Sequence, residues 1–399
     1  MADEPGAGSA STAALGGTTP SATLEATPPG GVAVVMTSDD APLARESAAA
    51  RRPAAPGVSG SGAPTLEDVA RVAGVSRATV SRVVNGQRRV AADIQAVVRE
   101  AIATTGYVPN LAARSLVTRR TGAVIVVVSG VEEQGSPSTI DFADPFFGRV
   151  VGGMLRALRP HDVDPILMLA ETDSDRARVL SSLRNGNADG ALVVSTRGDD
   201  PMPRLLVEAG LPAVVFARPG RPIPLSFVDV ANRDGARLAA EHLVARGCRH
   251  VAAISGPLDV PSAQDRLSGF QDAMARHGQA FVPTVGGNFT YESGVVAMTS
   301  LLADYGDVDG VFASNDLMAL GAIEALQATG RRVPEDVRVI GFDDSSVGAL
   351  SRPALTSVRQ PIEEMAAEMA RILLDTIADP GRRVTSTIFE PTLRIRDSA

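Results

Sequence analysis

The feature that most limits how this sequence can fold is a regular alternation of strand-like and helix-like segments from Thr121 onward. A first series contains the apolar runs AVIVVVS, PILMLA, GALVVS and PAVVFA, and a second contains HVAAIS, DGVFAS and VRVIGFD. Segments with helical spacing, such as FGRVVGGMLRALRPH, separate these runs. Because strands that alternate with helices form parallel, doubly wound sheets, the two series predict two α/β lobes.

Composition indicates where such a chain works. One of the 399 residues is a cysteine, Cys248, so an intramolecular disulfide is impossible and a reducing compartment is favoured. Asp3 and Glu4 stand where a secretory signal would be basic, and the longest apolar runs are too short to span a bilayer. We therefore expect a cytoplasmic protein that has no membrane partner.

Residues 1–63 are rich in Ala, Gly, Ser, Thr and Pro and show no hydrophobic periodicity. Such a segment buries too little apolar surface to offset the entropy lost on ordering, so we predict that it is disordered. Its role stays open between a functional tail, a solvated extension and a misassigned start codon.

Charge is distributed unevenly along the chain. The formal net charge is −8, yet residues 61–120 contain nine arginines and four acidic residues and so carry +5. Residues 1–60 carry −3, which leaves −10 for the remainder. A small basic segment joined to a large acidic one suits a nucleic-acid-binding module attached to a control domain.

The basic segment predicts two short helices joined by a tight turn. The first has apolar residues at i, i+3, i+4 and i+7, namely Leu66, Val69, Ala70 and Ala73. Thr65 and Asp68 can cap it, Gly74 supplies the turn, and Ser76 can cap the second helix. The second helix packs through Val80, Val83 and Val84, and its opposite arc carries Arg77, Ala78, Ser81, Arg82 and Asn85. This spacing is typical of a helix pair that enters the DNA major groove, although a solvated amphipathic helix fits the polar arc alone equally well.

A third helix is predicted over about residues 91–104 and ends at Gly106. Its core face is expected to contain Ile94, Val97, Val98 and Ile102. Pro109 stops this helix, and Asn110 can cap a further helix of about two turns, which is too short to be stable alone. Leu116 lies among arginines there, so it suits a wedge in a DNA minor groove better than a hydrophobic core.

The segments TLEDVARVAGVSRATVSRVVNG and GYVPNLAARSL resemble the DNA-binding headpiece and hinge of the lactose-repressor (LacI/GalR) family, and the resemblance covers residues 64–399. It implies an all-α helix-turn-helix headpiece at 64–109 and a hinge helix and linker at 110–121. An α/β, two-lobed, periplasmic-binding-protein-like domain for effector binding and dimerisation then follows at 122–399. Three kinds of DNA contact are implied: base reading by Arg77, Ala78 and Arg82, phosphate-facing or supporting roles for Ser76, Thr79, Ser81 and Asn85, and a minor-groove wedge at Leu116. Ala78 departs from the larger polar residue that is common in the family, and its methyl group can touch a thymine methyl without hydrogen-bonding to a base.

Ligands of doubly wound sheets bind beyond the carboxyl ends of the strands. The residues at those ends are Ser129, Ser195, Thr196, Arg218, Ser255, Ser314, Asn315, Asp316, Asp343 and Asp344, with Arg266 nearby in QDRLSGF and with Phe146 and Phe342 as a possible apolar wall. Converging Arg, Asn and Asp side chains suit a polyhydroxylated or anionic small molecule. Ser, Asn and Asp also favour helix caps and turns, and we expect Asp316 to cap its helix.

The family resemblance implies ligand contacts at Arg266, Asn315, Asp343 and Gln360, and it aligns a first-lobe aromatic motif with DPFF. The predicted effector-binding set is Asp144, Phe146, Ser195, Arg218, Arg266, Asn315, Asp343 and Gln360. Ala217 replaces an aspartate that is common before Arg218, which weakens the case for a simple hexose and allows Arg218 to favour an anionic group. The insertion EEQGSPSTIDFA lengthens the first loop and can cover the cleft.

Two other classes of protein fit less well. An enzyme is disfavoured because the four histidines lack metal-ligand spacing and because neither a Walker loop nor a G-x-S-x-G elbow occurs. An exported sugar-binding protein is disfavoured because a helix-turn-helix precedes the lobes and no export signal is recognised. We therefore predict a transcriptional regulator, in the first place a repressor, that is controlled by a small-molecule effector without metal or cofactor. It is expected to bind a roughly palindromic double-stranded operator as a homodimer.

Overall fold

A computed structural model describes residues 63–84, 90–108, 120–130, 144–195 and 197–399. Several sequence predictions lie outside the described residues. They concern the N-terminal extension up to residue 62, Asn85, the hinge helix with Leu116, Thr196 and the insertion at 132–143.

The basic segment forms three helices, α1 (Leu66–Ala73), α2 (Arg77–Val84) and α3 (Ala92–Thr105). The predicted Thr65–Asp68 capping box begins α1, and Gly74 ends it in the left-handed conformation at φ 64°. The core of the three helices is centred on fully buried Val69, Val80 and Val98.

The prediction that Val97 belongs to this core was wrong, since Val97 is 46% exposed. Ala101 is buried there instead. The core stripe of α3 runs through residues 94, 98, 101 and 102, and residue 97 lies one step of about 100° around the helix from residue 98.

The described part of the first lobe contains a six-stranded parallel sheet in the order β11-β5-β4-β3-β1-β2. Its strands are β1 (Ala123–Ser129), β2 (Asp164–Ala170), β3 (Ala191–Ser195), β4 (Ala213–Phe216), β5 (Ser226–Val230) and β11 (Ser386–Phe389). The helices of this lobe are α4 (Pro145–Leu158), α5 (Asp173–Arg184), α6 (Met202–Glu208) and α12 (Ile362–Ala378), and a short 3₁₀ turn (Arg159–His161) follows α4. The β-branched β1 lies in the middle of the sheet, where its valines are fully buried.

The described part of the second lobe contains a six-stranded sheet in the order β12-β10-β9-β8-β6-β7. Its strands are β6 (Val251–Ser255), β7 (Thr284–Gly286), β8 (Gly310–Ala313), β9 (Arg338–Phe342), β10 (Thr356–Arg359) and β12 (Thr392–Arg394). Its helices are α7 (Asn232–Ala245), α8 (Pro261–Arg276), α9 (Tyr291–Asp304), α10 (Asp316–Ala328) and α11 (Ser346–Leu350). The predicted doubly wound architecture is confirmed for both lobes.

The two lobes are interleaved in the chain and do not follow one another as two separate series. The chain passes between the sheets after Val230, after Arg359 and after Phe389. Consequently α12 packs on α4 of the first lobe and β11 pairs with β5.

The edge strand β12 is antiparallel to β10, unlike the parallel strands that the alternation predicts. The chain leaves the first sheet at the carboxyl end of β11. A short connection brings it to the carboxyl ends of the strands in the second sheet. Strand β12 therefore runs against its neighbours, because a parallel partner needs a long crossover. None of the helices in the described residues combines the length and the apolar character needed to cross a bilayer.

Candidate functional site

The buried guanidinium group of Arg266 is the centre of a polar cluster between the lobes. Arg266 lies on α8, and its Nε donates a hydrogen bond of 2.8 Å to Oδ1 of Asn232. Its Nη1 donates to the carbonyl oxygen of Ser314 at 2.6 Å, and its Nη2 donates to Oε1 of Gln360 at 3.2 Å. The guanidinium carbon also lies 3.7 Å from the centre of the Phe342 ring. These contacts fix the position and the orientation of the charged guanidinium group.

Asp343 lies beside this guanidinium at the carboxyl end of β9. Its Oδ1 is 3.6 Å from Nη1 of Arg266, and in the described structure this buried oxygen has no hydrogen-bond partner. Burial raises the pKa of Asp343 from 3.8 to about 8, with Asp316 and Asp144 acting in the same direction and Arg266 and Arg149 opposing it. A buried carboxyl group with a free acceptor beside a fixed guanidinium group can bind the hydroxyl groups of a ligand.

The backbone around Asp343 has an uncommon conformation. Asp343 has a φ of 104° and Asp344 a φ of 53°, so two successive residues other than glycine lie in the left-handed half of φ space. Such conformations are unfavourable for L-residues and persist when neighbouring groups hold them.

The expected capping role of Asp316 was wrong, because Asn315 caps α10. Asn315 has extended backbone angles, and its Oδ1 accepts a hydrogen bond from the Met318 amide at 2.9 Å. Asp316 is the first residue inside the helix, one position too late to accept that bond. Its buried carboxylate accepts hydrogen bonds of 2.6 Å from the Ser345 amide and from the Ser357 hydroxyl. Burial raises the pKa of Asp316 to about 6.

The first lobe contributes aromatic groups and a helix cap. Asp144 caps α4 by accepting a hydrogen bond from the Phe146 amide at 2.9 Å. The Phe146 ring packs edge-on against Phe147 and against Phe216, with centroid distances of 5.4 and 5.5 Å. Ser195, another predicted contact, donates its hydroxyl to the carbonyl oxygen of Arg197 at 3.0 Å.

Arg218 forms an ion pair within the protein. Its Nη2 lies 2.6 Å from Oδ2 of Asp265 on α8, and its own amide donates to Asp229. The positive charge that favoured an anionic effector is therefore already balanced by a carboxylate of the second lobe.

Sequence reasoning missed two residues of this region. Asn232 lies two residues after the end of β5, whose sequence SFVDV was not recognised as a strand, and a scan of strand ends that included it would have found Asn232. Arg149 on α4 donates a hydrogen bond of 2.7 Å to the carbonyl oxygen of Asp343, and no local motif announces this contact.

In the headpiece, α2 buries Val80 and exposes the three residues that are predicted to read bases. Ala78 and Arg82 are exposed, and Arg77 is exposed while its Nε lies 3.0 Å from Glu67 of α1. Two residues predicted to face phosphates form the start of the helix, where the Ser76 hydroxyl accepts from the Thr79 amide at 3.2 Å and lies 2.9 Å from the Thr79 hydroxyl. Ser81 is half-buried. The exposed arginines remain available to a DNA duplex.

A three-helix module with an exposed basic helix, joined in one chain to two α/β lobes with a polar cluster between them, defines the class of DNA-binding regulators that carry an effector domain. Comparison with known families agrees with this class. Residues 65–110 match the family described as "Bacterial regulatory proteins, lacI family", and residues 240–399 match the "Periplasmic binding protein-like domain".

The match with individual relatives extends over nearly the whole length of each relative. The HTH-type transcriptional regulator CelR of Thermobifida fusca is 43% identical over 339 residues, which are 84% of this chain and 98% of the relative. The ribose operon repressor of Escherichia coli (strain K12) is 32% identical over 340 residues, with 84% and 99% covered.

Two solved structures are also similar. The transcriptional regulator CelR–cellobiose complex has a TM-score of 0.65 at 41% identity and covers 84% of this chain and 100% of its own. The lac repressor dimer bound to operator and the anti-inducer ONPF has a TM-score of 0.71 at 25% identity and covers 84% and 99%.

The chain belongs to the lacI family of bacterial regulatory proteins. It is a DNA-binding transcriptional regulator with a two-lobed effector domain, and not an enzyme, as the sequence predicted.

Proposed function

We propose that this regulator is a homodimeric repressor that binds a roughly palindromic operator and is controlled by a neutral disaccharide, with cellobiose as the first candidate. The observation that carries the proposal is the buried Arg266–Asp343 pair, in which a fixed guanidinium group lies beside a carboxyl oxygen that has no hydrogen-bond partner in the described structure. The similarity to a regulator solved with cellobiose, at 41% identity, supports the choice of sugar.

The charges around the cleft favour a neutral ligand. Arg218 is paired with Asp265, so an anionic group would have to compete with that carboxylate. The edge-on ring of Phe146 beside Phe216 offers an apolar surface of the kind that packs against the C–H face of a sugar ring. We infer effector contacts at Asp144, Phe146, Ser195, Arg266, Asn315, Asp343 and Gln360.

We infer DNA contacts from the residues of α2 and from the segment after Pro109. The proposed headpiece is 64–109, the hinge 110–121 and the effector domain 122–399. Arg77, Ala78 and Arg82 are the proposed base readers, with Ser76, Thr79, Ser81 and Asn85 near phosphates and Leu116 in the minor groove. A regulator of this kind acts beside the DNA, so the cytoplasm is its proposed location.

A homodimer is supported by an apolar surface on the first lobe. The edge strand β2 exposes Ile166, Leu167 and Leu169, and the adjacent α4 exposes Leu155. An edge strand with exposed leucines is usually covered by a partner.

The test begins with the operator, identified by genome-wide footprinting of the full-length protein. The fluorescence anisotropy of a labelled operator duplex is then followed while cellobiose, glucose, ribose or glucose 6-phosphate is added. Cellobiose is expected to change operator affinity, and the other sugars are expected to act weakly. A response to the phosphorylated sugar without a response to cellobiose would overturn the neutral-sugar proposal.

Base reading is tested with Arg82→Ala. If Arg82 contacts a base edge, its loss weakens operator binding by about 1–3 kcal/mol and affects random DNA much less. Equal loss on both duplexes assigns Arg82 to a phosphate.

A further inference from the structure

Arg149 joins the two lobes at the effector cleft. It lies on α4 of the first lobe, yet its Nη1 donates to the carbonyl oxygens of Asp343 at 2.7 Å and Asp344 at 3.4 Å in the second lobe. Its Nε and Nη2 donate to the two carboxylate oxygens of Glu363, each at 2.9 Å. These hydrogen bonds hold the pKa of the Glu363 carboxyl group below its usual value. The Arg149 side chain is thus held by Glu363 at the start of α12 and contacts the backbone of the loop that follows β9.

The loop that Arg149 reaches needs external support because of its left-handed backbone. Within the second lobe, the Asp343 amide donates to the Val358 carbonyl at 2.8 Å and the Asp344 amide donates to the Ser357 hydroxyl at 3.0 Å. The Asp344 carboxylate pairs with Arg396. Arg149 adds a contact from the first lobe, on the carbonyl side of Asp343, and this contact exists only in a limited range of lobe orientations.

We propose that Arg149 is a positioning residue of the effector site, which holds the Asp343 carboxyl group in its ligand-binding geometry and makes that geometry depend on the relative orientation of the lobes. The inference rests on the proposed function, in which Asp343 contacts the effector. A ligand that needs Asp343 in this position then favours the lobe orientation in which Arg149 reaches the loop, which is a means of coupling the effector to the rest of the molecule.

A purely structural ion pair between Arg149 and Glu363 predicts different behaviour. The charged groups that face Asp343 are Arg266 of α8, Asp316 of α10, Asp144 at the start of α4 and Arg149 of α4 itself. Arg149 lowers the pKa of Asp343, so removal of its charge raises the pH at which Asp343 ionises. The charge of Arg149 acts on Asp343 through space in either role, so the order of the backbone at residues 343–345 is what distinguishes a positioning residue from a bridge that only stabilises the fold.

The experiment compares the full-length wild type with Arg149→Met, Arg149→Lys and Glu363→Gln. Arg371→Met is the matched control, because Arg371 of α12 makes a similar fork with Glu368 but has its partners, Glu368 and Asp375, on its own helix. Three quantities are measured: cellobiose affinity of the DNA-free protein by calorimetry, its dependence on pH, and amide exchange at residues 343–345 without ligand.

Arg149→Met is expected to weaken cellobiose binding about tenfold or more, because one charge-assisted hydrogen bond orients the ligand-binding group. It should speed exchange at residues 343–345 and raise the pH midpoint of affinity. Arg149→Lys should restore the pH midpoint, because lysine carries the same charge. It should restore only part of the affinity, because an ammonium group cannot bind Glu363 and the Asp343 carbonyl oxygen at the same time as a guanidinium group does. Arg371→Met should match the wild type in all three measurements.

Wild-type exchange at residues 343–345 in Arg149→Met would overturn the positioning role, whatever the pH midpoint of that variant. If Arg149→Met does not fold, Glu363→Gln tests the proposal instead. This variant keeps the positive charge of Arg149 but removes the carboxylate that holds its side chain, so it should change the same three measured quantities less strongly. Unchanged values in Glu363→Gln would then overturn the proposal.

Asp343→Asn separates the two proposals. If it keeps wild-type cellobiose affinity, or if the wild type does not bind cellobiose, the proposed effector site or effector fails, and amide exchange alone decides the role of Arg149. If Asp343→Asn loses binding while Arg149→Met retains it, the positioning role alone is refuted.

Discussion

The two lobes have the same strand order, and their fourth strands are each followed by a residue with a positive φ but a different side chain. Ala217 follows β4 with a φ of 68°, and Asp343 follows β9 with a φ of 104°. The Ala217 amide donates to the Val228 carbonyl of the next strand at 2.8 Å, and the Asp343 amide donates to the Val358 carbonyl at the same distance. The topology therefore sets the shape of both strand ends, whereas the chemistry is left to the side chain, which is a carboxyl group in one lobe and a methyl group in the other.

This comparison also explains how polarity is divided across the cleft. Phe216, the residue before Ala217, packs on the ring of Phe146, whereas Phe342, the residue before Asp343, stacks on the guanidinium group of Arg266. The second lobe thus holds a fixed, buried polar group for hydroxyls, and the first lobe offers aromatic rings. A disaccharide has both hydroxyl edges and apolar faces to match them.

The largest effect is expected from Asp343→Asn, which leaves the shape of the second strand end intact and removes the ability of this side chain to ionise when a ligand binds. Cellobiose affinity should fall about a hundredfold, since a buried hydrogen bond to a charged group is lost. Operator affinity without ligand should stay close to the wild type. Calorimetry and operator anisotropy measure the two quantities, and a normal ligand response would remove Asp343 from the site.

The next largest effect is a pH dependence of cellobiose affinity, which Asp343 can produce and Ala217, at the equivalent position of the first lobe, cannot. Because the Asp343 pKa is raised to about 8 in the folded protein, the ligand-free site holds a proton at neutral pH. A sugar that donates hydroxyls favours the carboxylate, so its affinity should rise by about tenfold from pH 6 to pH 7 and level off above pH 8. Calorimetry in two buffers with different ionisation enthalpies should detect the released proton, and Asp343→Asn should abolish the slope.

The same raised pKa makes the stability of the ligand-free protein fall with rising pH, whereas the ligand affinity rises. The folded state keeps a proton that the unfolded chain releases above its ordinary pKa of 3.8, so the contribution of Asp343 is fully present below that pH. It is lost as the pH rises towards 8. Ligand-free protein should therefore lose part of its thermal stability over this range, and Asp343→Asn should lose less.

A smaller effect should follow from Ala217→Asp, which makes the two strand ends chemically alike. Aspartate tolerates the left-handed backbone at residue 217 better than most residues do, so the fold should accept it. Affinity for glucose should rise by about fivefold relative to cellobiose, through an added acceptor for hydroxyls. Competition calorimetry with the two sugars measures the ratio, and an unchanged ratio would show that residue 217 does not face the ligand.

The smallest effect is expected from Asp265→Ala, which frees the charge of Arg218. The pair is partly exposed and contributes less than about 1 kcal/mol, so cellobiose affinity should change less than about threefold. Binding of glucose 6-phosphate should strengthen instead, because the guanidinium group loses its internal partner. A large loss of cellobiose affinity would place Asp265 itself in the site.

Local patterns in the sequence were enough to predict much of the fold. The Thr65–Asp68 capping box and the turn at Gly74 depend on neighbours a few residues away, and both form as expected. The strands of the doubly wound lobes were recognised where they were long and β-branched, as at Ala123–Ser129. Short strands with mixed composition, such as Ser226–Val230 and Ser386–Phe389, were missed.

The candidate site was predictable where it follows from strand ends and not where it follows from tertiary packing. Arg266 and Asp343 stand in recognisable positions, and the structure brings them together. Arg149 could not be found in this way, because its partners Asp343 and Glu363 are 194 and 214 residues away in the chain. The exchange of roles between Asn315 and Asp316 reflects a boundary shift of one residue, which propensity does not resolve.

The interleaved chain path has a consequence for synthesis on the ribosome. The surface of α4 around Gly153 packs closely against Ala366 of α12, which emerges only after almost the entire second lobe has been translated. About 200 residues separate Leu158 from Ile362, and at about 5–20 residues per second their translation takes on the order of 10–40 s. During that interval the nascent first lobe exposes a hydrophobic face, so it is the part of the molecule on which a ribosome-associated chaperone is expected to act.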